Sequence, residues 1–166
     1  MNTNTNTINY LKYSDFEKKD LSKLIGFLSL LYPTQSIESI TANVNRPSEN
    51  KIYIASFSNE IIGTCWCLPL KFDKYYIGGV GGVAVSKEFQ HKGIGFKLVS
   101  YLIENETDFD TFLLWTRVPA FFEKLGFFDF SKGIKTIEGD STPMLKTENN
   151  YLRFNFPVTK WERIKF

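Results

Sequence analysis

Apolar and polar residues alternate along the chain with the spacings of helices and strands. Leucine and isoleucine recur every three or four residues between Ser14 and Pro33, which predicts a helix that the proline ends. Shorter runs rich in β-branched and aromatic residues predict strands. The predicted strands are 8–13, 51–57, 61–68, 75–85, 111–115, 127–130 and 151–156, and the further helices are 36–45, 93–104 and 119–125.

The connections complete this pattern. Ser58-Asn59-Glu60 predicts a hairpin, Pro69 through Lys74 a longer connection, and 131–149 an irregular segment with room for one short strand. In the helix at 36–45, Ile37, Ile40 and Val44 are expected to face inward. The order of elements predicts an α+β fold in which helices cover a largely antiparallel sheet.

Length and composition indicate a globular protein. We expect a disordered, low-complexity tail at 1–7 and a single domain at 8–166, because no repeat or linker divides the chain. Hydrophobic residues make up 43% and aromatic residues 16%, too apolar a composition for a disordered chain. The net charge of +2 argues against a nucleic-acid binder that relies on a general basic field.

Neither a membrane nor a metal is predicted as a partner. No apolar run reaches the roughly 18 residues of a membrane span, and no secretory signal is evident, so a cytoplasmic location is expected. Cys65 and Cys67 are the only cysteines. Their spacing suits neither a redox pair nor a zinc site, and we interpret them as buried reduced thiols.

The strongest chemical signal lies between residues 82 and 97. A β-branched apolar run ends at Val85, a polar turn follows, and Gln90-His91-Lys92-Gly93-Ile94-Gly95 leads directly into the helix at 93–104. The first N–H groups of a helix have no partner within it and favour an anion. Residues 90–97 therefore predict a cradle for a pyrophosphate.

Two segments together resemble the GNAT acyltransferases. Val83-Ala84-Val85 followed by Gln90 to Gly95 is similar to their acetyl-CoA signature, and Pro119-Ala120-Phe121-Phe122-Glu123-Lys124-Leu125-Gly126-Phe127 is similar to their second conserved segment. The resemblance extends from about residue 8 to 156. Gly79 to Ala84 also matches a dinucleotide-binding fingerprint, but strand-like residues follow it where that fingerprint requires a helix.

The resemblance implies a GNAT-like sheet with a splayed parallel pair, 77–85 and 111–115, whose gap holds the pantetheine arm of acetyl-CoA. Lys87, Lys92 and Lys97 are candidates for the adenosine 3′-phosphate, with a solvated face as the alternative. The implied cofactor-binding residues are Val83, Ala84, Val85, Gln90, His91, Lys92, Gly93, Ile94, Gly95, Phe96, Thr116 and Phe122.

The catalytic groups are less defined. The resemblance implies a backbone oxyanion donor near Val83 or Ala84. Phe122 stands where the family frequently has a tyrosine that protonates the thiolate, so another donor is needed. The candidate donors are Tyr75, Tyr76, Cys67 and Thr116. The general base stays open among His91, Asp73, Glu60, Glu88 and a chain of waters.

The implied function is N-acetylation by direct attack of a neutral amine on the thioester. The expected acceptor is a small-molecule or amino-acid-like amine, and the protein is expected to be a monomer or homodimer. Aromatic residues and Arg117 could line the acceptor pocket, although core packing explains the aromatics equally well. A protein or peptide N-acetyltransferase and a non-catalytic acyl-CoA-binding regulatory module stay open as alternatives.

Overall fold

One mixed sheet organises the chain. The computed structural model describes residues 7–15, 21–44, 50–72, 74–130, 141–149 and 152–153. The strands are β1 Asn9–Lys12, β2 Lys51–Phe57, β3 Glu60–Phe72, β4 Tyr75–Val85, β5 Thr111–Thr116, β6 Phe128–Asp129 and β7 Thr142–Thr147. The helices are α1 Leu21–Leu31, α2 Ile37–Val44, α3 Ile94–Asn105 and α4 Pro119–Glu123.

The strand order is β1-β2-β3-β4-β5-β7-β6. Strands β1 and β2, β2 and β3, β5 and β7, and β6 and β7 pair in antiparallel fashion. Strands β4 and β5 pair in parallel through Gly78↔Phe112 and Gly79↔Leu113. The predicted α+β fold with a largely antiparallel sheet and one parallel pair is therefore confirmed.

The hairpin between β2 and β3 has the predicted position. Ser58 and Asn59 form its two-residue turn with φ of 49° and 63°. Two positive φ values match the right-handed twist of the flanking strands. The register pairs Ile54 with Thr64 and Ile52 with Trp66, with an irregularity between Ala55 and Ser56.

The chain falls into two compact units. The first unit comprises residues up to Cys67 together with Gly82–Asn105. In it Leu24, Leu28 and Ile40 form a buried cluster against which Trp66 packs. On α3, Leu98, Val99 and Leu102 are fully buried. Helical spacing therefore places the predicted apolar face of α3 inward.

The second unit comprises Leu68–Gly81 and the residues from Glu106 onward. Ile77, Leu113, Leu145 and Leu152 form its buried cluster. Strand β5 is almost entirely buried, in agreement with its predicted apolar run. The expectation of a single domain at 8–166 stays a prediction, and residues 1–6 of the expected tail lie outside the described residues.

The structure corrects three local predictions and confirms one. Strand β3 continues through Pro69 to Phe72, where a connection was expected. The segment at 131–149 contains, within its described part, the short strand for which the sequence left room; this strand, β7, has six residues and pairs along the whole of β5. Leu152 and Arg153 are helical, so the strand predicted at 151–156 is wrong at these positions. Ile37 is 61% exposed and does not face the core.

Candidate functional site

The end of β4 has a backbone geometry that only glycine accommodates. Gly82 has φ of +56°, in the left-handed region, and an added Cβ would overlap the ring of Trp66. Side chains other than glycine rarely adopt this conformation. The sequence therefore brings the indole of β3 directly against the backbone of β4, just before Val83, Ala84 and Val85.

Four hydrogen bonds fix the loop after β4, one of them from the Gln90 N–H to the Lys87 carbonyl at 3.4 Å. The Ser86 N–H donates to the Ile62 carbonyl at 2.8 Å, and the Phe89 N–H donates to the Ser86 carbonyl at 2.9 Å. The Gln90 side chain donates through Nε2 to the Val85 carbonyl at 2.9 Å. The amide of Gln90 thus ties the loop back to the strand, and a short 3₁₀ turn, Lys87–Phe89, fills the space between them.

The next six N–H groups form a run with no protein acceptor. Among the described residues, none of the N–H groups of residues 91–96 donates to a carbonyl or side chain, and the first bond of the helix is from Lys97 N–H to the Gly93 carbonyl at 3.1 Å. Backbone N–H groups rarely lack a hydrogen-bond partner, so the N–H groups of residues 91–96 bond to solvent or to a ligand.

Backbone conformation favours an anion at the same place. His91 and Gly93 have φ of 61° and 76°, with Lys92 between them. Left-handed residues next to right-handed ones turn successive N–H groups toward one concave side, which is a known geometry for anion binding. A Cβ at Gly93 would meet no atom within 4 Å, so the space above this residue is open.

The charges around the loop are mainly positive and exposed. Lys87, Lys92 and Lys97 are exposed, as is His91. The Lys92 ammonium lies 5.2 Å from the centre of the Phe89 ring, which in turn packs against Phe57. The structure therefore brings the loop residues predicted from sequence into one segment. Their binding of a cofactor stays a prediction, and so does a base role for His91.

Thr116 and Phe122 lie in the second unit. Thr116 is buried, and its Oγ1 accepts a hydrogen bond from the Val118 N–H at 3.0 Å. Phe122 is 5% exposed, and its ring makes edge contacts with Phe121 and Phe127. The position that frequently carries the acid in the resembling family is therefore a packed aromatic site in this chain.

The two candidate tyrosines open β4, at the opposite end of the strand from Val83 and Ala84. Tyr75 packs against the buried cluster of Ile77 and has the Lys74 ammonium 5.4 Å from its ring centre. Tyr76 is 49% exposed and stacks on Phe109. A catalytic role for either tyrosine stays a prediction.

The remaining acid and base candidates are placed as follows. Cys65 and Cys67 are fully buried and form no disulfide, which confirms the interpretation as buried thiols. Burial, with a smaller contribution from the nearby Cys67, raises the pKa of the Cys65 thiol well above its ordinary value. Glu60 forms an exposed ion pair with Lys23 at 3.7 Å. Asp73 lies outside the described residues.

Sequence reasoning missed two hydroxyl groups. Thr64 Oγ1 and Ser86 Oγ are buried atoms with no hydrogen-bond partner in the part of the chain that is described. No sequence pattern identifies them, because burial and the lack of a partner are properties of the packed fold. In the described ranges, no group of three or more His, Cys, Asp or Glu side chains could hold a metal ion, and no helix has the length and apolarity to span a membrane.

Comparisons with known proteins agree with this geometry. Residues 48–128 match the sequence profile of an acetyltransferase (GNAT) domain. No curated protein matches the chain in sequence. Several solved structures share the fold at low sequence identity. An acetyltransferase of the GNAT family from Staphylococcus aureus Mu50 is 19% identical with a TM-score of 0.64, over 84% of this chain and 98% of that one.

Two aminoglycoside-modifying enzymes are similar to the same extent. Aminoglycoside 6′-acetyltransferase type Ii is 21% identical with a TM-score of 0.68, over 85% of this chain and 96% of that one. An aminoglycoside 6′-N-acetyltransferase complexed with coenzyme A is 17% identical with a TM-score of 0.67, over the same shares. The matched segment contains β4, the loop with unpaired N–H groups and α3. Residues 48–128, slightly less than half of the chain, therefore match a GNAT acetyltransferase domain in sequence, and the solved structures share its fold.

Proposed function

We propose that this protein is an acetyl-CoA-dependent N-acetyltransferase that modifies the primary amine of a small-molecule or amino-acid-like acceptor. The observation that carries the proposal is the run of N–H groups at residues 91–96, which have no described protein acceptor and lie at the beginning of α3. The domain family and the coenzyme A complex of a protein with this fold support acetyl-CoA as the anion that binds there.

The loop residues fit a diphosphate in shape and in charge. Gly93 leaves open space above its backbone, and the αL conformation of His91 turns neighbouring N–H groups in one direction. The dipole of α3, a helix of 12 residues, adds partial positive charge at the same end. Exposed Lys92 and Lys97 raise the positive potential further.

The protein's own groups would divide the work of acetyl transfer. Acetyl-CoA, when bound, supplies an acetyl group activated as a thioester. The N–H groups of residues 91–96 hold the diphosphate, and the backbone of Val83, Ala84 and Val85 aligns the pantetheine arm. An N–H of Val83 or Ala84 stabilises negative charge on the thioester oxygen. Gln90 keeps the loop attached to β4 through its bond to Val85.

The acceptor and the proton donor are the finer parts of the proposal. Two proteins of similar fold are named for acetylating aminoglycosides, which supports a small primary amine as the acceptor class. Phe122 has no proton to donate, and Tyr75 and Tyr76 precede Val83 and Ala84 by eight residues, or roughly 26 Å of extended strand, so the proposal assigns no side chain of the protein to protonate the leaving thiolate. Because a thiol is a fair leaving group, a missing general acid is expected to lower the rate by ~10²-fold, the lower end of the usual range, so turnover does not require one.

The experiment measures thiol release from acetyl-CoA with kanamycin, spermidine, free lysine and a lysine-containing peptide. We expect turnover with at least one of the three small amines, and calorimetric binding of coenzyme A by the same preparation. Turnover only with the peptide would favour a peptide N-acetyltransferase. Binding of coenzyme A without turnover of any amine would favour a non-catalytic acyl-CoA-binding module, the candidate that Phe122 supports. Absence of coenzyme A binding would refute the proposal.

A further inference from the structure

The part of β4 that we propose to hold the thioester follows a stretch rich in glycine. Glycines stand at positions 78, 79, 81 and 82, directly before Val83 and Ala84. Glycine leaves the backbone more freedom than any other residue, so this stretch does not hold one conformation by itself. The pairs of β4 with β5 that the structure describes end at Gly79. The backbone of Gly82 therefore needs support from another element.

That support comes from Trp66 on β3. If Gly82 carried a Cβ, the three atoms nearest to it would all belong to Trp66, namely Cζ3, Cε3 and Cη2 of the six-membered ring. The indole thus occupies the space that a side chain at position 82 would take. Because φ of Gly82 is +56°, a conformation that other residues rarely adopt, the glycine and the indole fit each other as a pair.

Trp66 is itself held by the helices and the sheet of the first unit. Its side chain packs against the buried cluster of Leu24, Leu28 and Ile40, which belong to α1 and α2. Its backbone lies opposite Ile52 in the register of β2 and β3. A tryptophan has a large apolar surface and only two side-chain torsions, so this packing fixes the ring. The indole is therefore a wedge between the helices and the backbone of β4.

The conformation of Gly82 determines where the next N–H group points. The peptide planes on both sides of Gly82 turn about its φ and ψ, and the plane that follows carries the Val83 N–H. Glycines with positive φ disrupt strand pairing locally in β-bulges, which are frequent next to active sites. A ring packed directly on Gly82 leaves these planes little space to turn. Trp66 therefore limits the direction of the Val83 N–H.

We propose that Trp66 is a positioning residue for acetyl transfer, because its indole fixes Gly82 and thereby keeps the Val83 N–H aimed at the thioester oxygen. This inference rests on the proposed function. The role requires no contact of Trp66 with the acetyl group or the acceptor, since the residue acts through the backbone of β4. The N–H donor must meet the negative charge that develops on the oxygen as the amine attacks. A misdirected N–H therefore slows the reaction, whereas coenzyme A stays bound to the N–H groups of residues 91–96.

Substitutions at Trp66 test this role through a split between kcat and KM. Kinetics with acetyl-CoA and whichever of kanamycin, spermidine and lysine reacts fastest are measured for the wild type, Trp66→Phe, Trp66→Met and Trp66→Leu. Loss of a complete oxyanion donor typically lowers kcat roughly 10²–10³-fold, so a misdirected donor should lower it about 10- to 100-fold in Trp66→Leu and Trp66→Met. The KM for acetyl-CoA should change less than about twofold, as expected when only the transition state loses an interaction. Trp66→Phe keeps a flat ring of shorter reach, and its kcat should fall between these variants and the wild type.

Phe27 provides the matched control for packing. It is a partly buried aromatic residue that packs against the same cluster of Leu24, Leu28 and Ile40 as Trp66 does. Phe27→Leu and Trp66→Leu both remove aromatic surface from this cluster, so both should lower the melting temperature. Only Trp66→Leu should lower kcat. A loss of kcat that came from lower stability alone would occur in both variants.

A second measurement follows the Val83 N–H itself and needs no turnover. Amide NMR spectra are recorded during titrations with acetyl-CoA and with coenzyme A, which differ in the thioester carbonyl. In the wild type, the Val83 resonance should shift further with acetyl-CoA, in the direction of stronger hydrogen bonding. In Trp66→Leu the two ligands should shift this resonance equally, while the resonances of residues 91–96 respond as they do in the wild type.

The outcomes distinguish this inference from the proposed function. Unchanged kcat in Trp66→Leu and Trp66→Met, or an equal loss of kcat in Phe27→Leu, would refute the positioning role and leave the proposed function intact. A wild-type Val83 resonance that responds equally to both ligands would also refute the positioning role, whether or not the variants fold. A wild-type protein that acetylates none of the amines, or that does not bind coenzyme A, would refute the proposed function and the positioning role with it.

Discussion

Comparing a negative and a positive side chain at position 93 is the most direct mutational test of the phosphate cradle. Gly93→Glu and Gly93→Lys introduce side chains of similar length into a position where a Cβ meets no atom within 4 Å. Both variants carry the same backbone strain, because φ at this residue is +76°. That strain lowers the stability of both by about 1 kcal/mol. A difference between them therefore reports charge alone.

The expected size of the effect follows from Coulomb's law. A carboxylate about 6 Å from a phosphate charge, in an exposed loop with an effective dielectric constant of about 40, adds about 1.4 kcal/mol of repulsion. Two charges on the diphosphate double this penalty, which corresponds to a roughly 100-fold weaker affinity. A lysine reverses the sign, so the same arithmetic predicts that Gly93→Lys binds coenzyme A up to roughly 100-fold more tightly than the wild type.

The assay is calorimetric titration with coenzyme A at two salt concentrations. Gly93→Glu should bind roughly 100-fold more weakly than the wild type, and added salt should narrow the gap between the two variants because exposed charges are screened. Gly26 provides the matched control, since it is exposed on α1 and has open space around its Cβ. Gly26→Glu should leave the affinity unchanged. Equal affinities of Gly93→Glu and Gly93→Lys would refute the location of the diphosphate.

Three further substitutions test the supporting structure. Gly82→Ala should cost roughly 2–4 kcal/mol of stability, measured by urea unfolding, because its Cβ would overlap Trp66 and its φ is positive; an unchanged midpoint would contradict this geometry. Gln90→Ala removes the bond to Val85 and should weaken coenzyme A binding about tenfold with a nearly unchanged melting temperature; unaltered binding would show that the loop does not need this tie. Phe122→Ala should lower the free energy of unfolding by about 3–5 kcal/mol in the same assay, whereas Phe122→Tyr should keep the fold. A large loss of stability in Phe122→Tyr would show that the packed site has no room for a hydroxyl.

Local patterns in the sequence were sufficient for most elements of the fold. The alternation in β2, the glycine-interrupted run of β4 and the helical spacing of α3 are properties of neighbouring residues, so they can be interpreted without tertiary information. The same holds for the loop, since glycine and the polar turn before α3 determine where N–H groups lack partners. The geometry of the candidate cradle was therefore predictable from residues 90–97.

Elements whose stability depends on distant partners were not predictable in the same way. The strand β7 contains Pro143 and shows no clear alternation, and it forms because β5 offers a full antiparallel partner. The segment at 151–156 alternates better, yet Leu152 is helical and its N–H bonds to the Asn149 side chain at 3.2 Å. Tertiary pairing determines the structure of β7, whereas at Leu152 a short-range hydrogen bond to the Asn149 side chain competes with the strand.

The hydroxyls of Thr64 and Ser86 illustrate the same limit at the candidate site. They are separated by more than twenty positions in sequence, and each is buried without a partner among the described residues only because of how the strands pack. Their lack of partners is a property of the packed interior, which single-sequence patterns do not contain. Residues that bind through side chains from several strands therefore require the structure, whereas a backbone cradle does not.

The most direct test of the central claim is an amide NMR titration of the protein with coenzyme A. The account predicts that the N–H resonances of residues 91–96 shift most, in the direction of stronger hydrogen bonding, and that they saturate together at the calorimetric affinity. Saturable binding that leaves these resonances unchanged while others shift would contradict the account.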